Sequence, residues 1–156
     1  MTTTLIDDEV ERSAPSDARQ LVAFLVGDEE YAVEIARVQE IIRYTAPRPV
    51  SGARAGVQGL INLRGKLIPV VDLRRMLGAH GTRAESAKIV VVEIGDSTIG
   101  MEVDDVCEVL TVEGAQCEAA PDGTTAGTDV IDAVVKLEGR LLVILDLDRM
   151  FGDVGH

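Results

Sequence analysis

The amino-acid sequence predicts a mainly β protein built from two related halves, and three observations predict it. Hydrophobic residues make up 46 % of the 156 residues but aromatics only 3 %, with no Trp. The core must therefore come from Val, Ile, Leu and Ala, and the β-branched members of that set pack well on a pleated surface. Short apolar runs separated by turn residues recur along the chain. The same runs then return in the second half, in the same order and with nearly the same spacing. A chain of this length holds one ordinary domain, or two small barrels sharing a core.

The elements follow in order. Gln20 to Gly27 is an apolar strand stopped by Gly27 and Asp28. In Glu30 to Ile35, Tyr31, Val33 and Ile35 alternate with polar or small residues, the period of a half-buried strand. The segment Val38 to Ile42 fits either one helical turn or a strand. Pro47, Pro49, Ser51 and Gly52 then break regular structure. Gly59 to Leu63 and Lys66 to Val71 flank Arg64-Gly65, a tight hairpin in which Gly65 supplies a positive φ. Pro69 cannot donate to a ladder, so its strand is expected at an edge or with a bulge. Asp72 is placed to cap a short helix, Leu73 to Leu77, that ends at Gly78.

The second half repeats this plan. Lys88 to Gly95 mirrors the opening strand. Setting Leu25–Ile42 over Glu93–Leu110 matches Gly27 with Gly95, Glu34 with Glu102, Val38 with Val106 and Glu40 with Glu108. Asn62–Gly78 lies over Lys136–Gly152, where Gly65, Asp72, Arg75 and Met76 meet Gly139, Asp146, Arg149 and Met150. The repeats span approximately 20–78 and 88–152, each about 70 residues with several short strands and one short helix. Residues 1–18 read as a solvated, disordered tail and 19–154 as one domain. Glu113 to Asp129, rich in Gly, Thr and Ala, reads as a mobile loop.

Charge and motif content exclude several functions. Fifteen basic against twenty-seven acidic residues leave a net charge of −12, which repels phosphate backbones and anionic membranes. With two Phe and two Tyr there is little for a nucleic-acid-binding barrel to stack bases on. No apolar run approaches the roughly 20 residues of a membrane span, and no secretory signal is evident, which argues for the cytoplasm. His80 and His156 lack neighbours at metal-ligand spacing, and Cys107 and Cys117 form neither a disulfide framework nor a C-x-x-C motif. Phosphate-binding Gly loops and the G-x-S-x-G elbow are absent. No catalytic residue, metal or cofactor is expected, and the reading is not an enzyme.

What remains is Val38-Gln39-Glu40 together with Gly59 to Gly65. Arg64, at a hairpin tip, presents its guanidinium to solvent or to a partner. The repeat sharpens this: Glu40 aligns with Glu108, but Arg64 aligns with Glu138. One copy offers a carboxylate–guanidinium pair where the other offers two carboxylates. An exposed ion pair adds little stability, so its expected use is to orient Arg64 for a partner.

The run DEEYAVEIARVQEII followed by QGLINLRGKLIPVVDLRRMLG resembles the CheW-type chemotaxis coupling domain. KIVVVEIGDSTIGMEVDDVCEVL and VVKLEGRLLVILDLDRMF resemble it too, so the likeness covers nearly everything beyond the tail. The resemblance implies two SH3-like five-stranded β-barrel subdomains, interleaved and packed around a shared core, with short helices. It implies an adaptor between the cytoplasmic tip of methyl-accepting chemotaxis receptors and the regulatory domain of a CheA-type histidine kinase, joined with its partners into rings or arrays. Carried over residue by residue, Val38, Glu40, Gly59, Asn62, Arg64 and Gly65 bear on receptor coupling, and Glu40 and Arg64 form a salt bridge. Kinase contacts fall on apolar barrel surfaces. The alternatives are an adaptor of a non-flagellar system, such as one governing type IV pilus motility, or a small-ligand-binding β-barrel. The last would need convergent polar groups in a pocket.

Overall fold

The computed structural model of the protein describes residues 18–52, 56–79, 81–119 and 130–151. Most of the predicted tail, both histidines and residues 120–129 of the predicted loop lie outside them.

The first copy folds into β1 (Arg19–Val26), β2 (Glu29–Glu34), β3 (Val38–Arg43), β4 (Val57–Leu63), β5 (Lys66–Asp72) and the short helix α1 (Leu73–Met76). The second gives β6 (Lys88–Ile94), β7 (Ser97–Val103), β8 (Asp105–Val112), β9 (Cys117–Glu118), β10 (Ile131–Leu137), β11 (Arg140–Leu145) and α2 (Leu147–Phe151). Val38 to Ile42 is thus a strand, preceded by one 3-10 turn over Ile35–Arg37. Asp72 caps α1, its side chain accepting the Arg75 N–H at 3.3 Å. Gly78 follows with φ of 81°, the left-handed residue that stops a helix.

The strands form two sheets, and each sheet mixes the two copies. One has the order β9-β10-β11-β2-β1-β8, the other β3-β6-β7-β5-β4. The first two strands of each copy therefore complete the barrel made by the remaining strands of the other copy. The joints are parallel and equivalent: Ile144 pairs with Ala32 between β11 and β2, as Val70 pairs with Gly100 between β5 and β7. Even the irregularities recur. The ladder between β1 and β8 skips Cys107, and that between β6 and β3 skips the aligned Gln39. Asp132 in β10 and Gln58 in β4 are likewise skipped.

This arrangement explains why QLVAFLVG and KIVVVEIG are continuous apolar runs. Along β1, Leu21 and Ala23 fill one barrel while Phe24 and Val26 enter a core shared by the two sheets. Along β6, Ile89 and Val91 fill the other barrel while Val90, Val92 and Ile94 join the same shared core. A strand buried on both faces has no polar side to show. Val71, Leu73, Leu145 and Phe151 complete the shared core.

Three expectations are corrected. The segment from Glu113 begins with a 3-10 turn, Gly114–Gln116, held by reciprocal bonds between Glu113 and Gln116, and continues into β9. Cys117 there pairs with Val135, so one sheet has six strands rather than five. Pro69 lies in β5, an interior strand. Pairing with β7 starts only at Val70, so on that side Pro69 is locally at an edge and its missing N–H costs nothing.

Candidate functional site

In the five-stranded sheet the outer strands are β3 and β4. They face each other across a seam where no continuous ladder forms. The segment between them contributes a single bridge: Arg48 and Leu60 exchange backbone hydrogen bonds of 2.8 and 2.9 Å. An apolar groove of about 580 Å³ lies along the seam, with Ile42 on one side and Leu60, Leu63 and Leu67 on the other.

The hairpin between β4 and β5 stands at one end of the seam. Both of its central residues have positive φ, 53° at Arg64 and 86° at Gly65, as a type I′ turn requires. Arg64 is the only non-glycine residue in this region among the described residues. A side chain there is disfavoured, so something must hold it. The turn is braced from below, where the Asn62 Oδ1 accepts the Gly65 N–H at 2.8 Å. It is braced from across the seam by Glu40 on β3. Both Arg64 terminal nitrogens donate to the Glu40 carboxylate, one of them at 2.9 Å. The Arg64 guanidinium holds the Glu40 carboxyl below the usual carboxylate range. Glu40 is mostly covered and Arg64 is 73 % exposed, so the pair presents cationic surface outward.

The predicted residues divide by role. Asn62, Arg64 and Gly65 form the exposed tip. Val38 is half-buried and packs against the shared core. Gly59 is buried: a Cβ there would stand 2.2 Å from the Arg48 carbonyl oxygen, so glycine permits the Arg48 segment to cross the strand. It lies within the seam, beneath the Arg48 segment.

The aligned place in the other barrel is built differently. Glu108 does not face a second carboxylate unpaired, as the alignment suggested. Arg140, at the start of β11, donates to it at 2.6 Å and to Glu30 at 3.2 Å through its Nε. Arg140 lies on the strand rather than at the tip, and the tip residue Glu138 takes no part in these bonds. Sequence reading missed Arg140, though a signal existed: it aligns with Lys66, so both hairpins begin their second strand with a cation. Lys66 instead reaches Thr98, at 3.0 Å, the residue aligned with Glu30.

Among the described residues no cluster of three or more His, Cys, Asp or Glu is arranged to hold a metal ion. No helix of the structure is long and apolar enough to cross a membrane.

Comparison with known proteins gives consistent matches. Residues 20–155 match the family model described as the CheW-like domain. The chain is 36 % identical over 133 residues to the chemotaxis protein CheW of Bacillus subtilis, covering 84 % of this chain and 85 % of that one. It is 34 % identical over 135 residues to the chemotaxis protein CheW of Rhizobium meliloti, covering 85 % and 87 %. Among solved structures, it is similar to the scaffolding protein TtCheW of Thermoanaerobacter tengcongensis, with a TM-score of 0.78 at 29 % identity, covering 88 % of this chain and 90 % of the other.

Proposed function

The chain belongs to the CheW-like domain family, and we propose that it joins the cytoplasmic tip of methyl-accepting chemotaxis receptors to the regulatory domain of a CheA-type histidine kinase. It is a chemotaxis coupling adaptor that acts by holding two proteins at once, without turnover and without a cofactor. It works in the cytoplasm, drawn to membrane-bound receptor arrays through its partners and assembling with them into rings. Residues 19–154 act as one unit of two interleaved barrels.

One observation carries the receptor assignment. Arg64 is kept in a disfavoured backbone conformation, pointed outward, by a bidentate carboxylate on a strand across the seam. A pair this exposed does little for stability, so orientation of the guanidinium is what the arrangement achieves. An acidic face on the receptor tip is the matching chemistry.

The test is a pull-down of wild type and Arg64→Glu against a receptor signalling tip and, separately, a CheA-type kinase regulatory domain. Wild type binds both. The charge reversal weakens receptor binding by about tenfold or more, the scale of one charge-assisted contact, and leaves kinase binding within about twofold. Equal loss of both would remove Arg64 from the receptor face. A large fall in melting temperature with binding intact would make the pair structural.

A further inference from the structure

We propose that Arg83, in the segment between the two copies, is a positioning residue for the Glu40–Arg64 pair, acting by clamping the far end of the same seam. The proposal rests on the receptor reading of that pair and adds a residue that the family motifs do not include.

The clamp is visible in its contacts. The Arg83 Nε donates to Glu102 Oε2 at 2.5 Å, and a terminal nitrogen donates to Oε1 at 3.2 Å. The Gln58 side-chain amide donates to the same carboxylate at 2.7 Å. The Arg83 guanidinium also lies 3.9 Å over the ring of Tyr44. Tyr44 directly follows β3, the strand that carries Glu40. Gln58 is the bulged residue of β4, the strand that leads to Arg64. Arg83 therefore touches the β3 side of the seam directly and reaches the β4 side through the Glu102 carboxylate that it shares with Gln58. Glu40 and Arg64 join the same two sides at the other end.

Two further observations separate a clamp from an accidental contact. The Glu102 side chain is 0 % exposed, and a buried carboxylate requires a cation or a full set of donors. Gln58 supplies one donor, and Arg83 supplies the charge. The other barrel also brings a guanidinium to the matching carboxylate, from a different residue and at a site open to solvent. Arg19 donates to Glu34, aligned with Glu102, at 3.1 and 2.5 Å, and to Asp132, aligned with Gln58, at 2.7 Å. Arg19 and Arg83 do not align, yet each precedes or opens the first strand of its copy and reaches the matching carboxylate. Both barrels thus place a guanidinium at this closure, each from its own position in the chain.

The experiment compares Arg83→Gln, Arg83→Lys and the double variant Arg83→Gln/Glu102→Gln with wild type. The double variant removes the buried charge together with its partner, so it keeps a folded reference even where Arg83→Gln does not fold. Two readouts are taken: the Glu40 carboxyl titration by NMR, and affinity for the receptor tip against affinity for the kinase regulatory domain. In the double variant the Glu40 midpoint moves up toward its position in Arg64→Ala, and receptor affinity falls by about tenfold while kinase affinity holds. Lysine, which lacks the planar fork, gives an intermediate result. A folded double variant with wild-type Glu40 titration and receptor affinity would reduce Arg83 to a counter-ion and overturn the proposal. Should Arg64→Glu itself leave receptor binding intact, the receptor reading fails while the Glu40 titration still decides whether Arg83 positions the pair.

Discussion

The two hairpin tips, Asn62 to Gly65 and Lys136 to Gly139, occupy equivalent places on equivalent barrels and do opposite things. In the first, both central residues are left-handed, Asn62 braces the turn, and Glu40 reaches the tip arginine. In the second only Gly139 has positive φ, Lys136 stands where Asn62 would brace, and Glu108 turns to Arg140 on the strand. A single duplicated scaffold thus pairs its glutamate with an exposed arginine at the hairpin tip in one copy and with a more covered arginine on the strand in the other. The backbone plan is common, and the side chains at a few matched positions decide which surface is available to a partner.

The largest contrast concerns the seam clamps. Removing Arg83 strands a fully buried Glu102, whereas removing Arg19 leaves a Glu34 side chain that is 47 % exposed and already hydrated. Arg83→Ala is expected to cost about 3 kcal/mol, the low end for a broken buried pair because Arg83 is itself 40 % exposed. Arg19→Ala is expected to cost under about 1 kcal/mol. Urea unfolding of the two variants checks this, and equal losses would erase the distinction between the barrels.

A smaller contrast lies in the bulged strands. Gly59 aligns with Ala133, a buried residue whose neighbour Val134 pairs with Glu118 of β9 as Leu60 pairs with Arg48. Gly59→Ala drives a methyl into the Arg48 carbonyl and is expected to destabilise by about 2 kcal/mol. Ala133→Gly is expected to cost no more than about 1 kcal/mol, from chain entropy and a lost methyl. Thermal melts of both would show whether the crossing over Gly59 is the tight point.

The smallest effect is electrostatic. Hydrogen bonding to Arg64 lowers the Glu40 pKa, so its contribution is fully present above the unfolded carboxylate value and is lost as pH falls through the lower folded value. NMR titration should place the Glu40 midpoint below an ordinary glutamate, and Arg64→Ala should raise it. An unmoved midpoint would mean that the pair does not form in solution.

Much of this was legible in the residues. The duplication, the Arg64-Gly65 turn, the Asp72 cap and the Glu40–Arg64 pair each follow from local chemistry or from matching one half to the other. What stayed hidden depends on contacts between residues far apart in sequence. Periodicity marks β1 and β6 as strands but does not say which copy's strands they pair with. Pro69 looked like an edge residue because its sequence cannot reveal where a neighbouring ladder begins. Arg83 lies in a segment without pattern, and only the fold brings it to Glu102. The Glu113–Gln116 turn was obscured by the Gly-, Ala- and Thr-rich composition around it.

The trading of strands between copies has a consequence for divergence. The molecule is equivalent to two short chains that exchanged arms and were then spliced end to end. While such chains are separate and identical, symmetry forces every tip to carry the same residue. Splicing lifts that rule, so an arginine on one tip can stand opposite a glutamate on the other, and a two-faced connector becomes possible from a one-faced part.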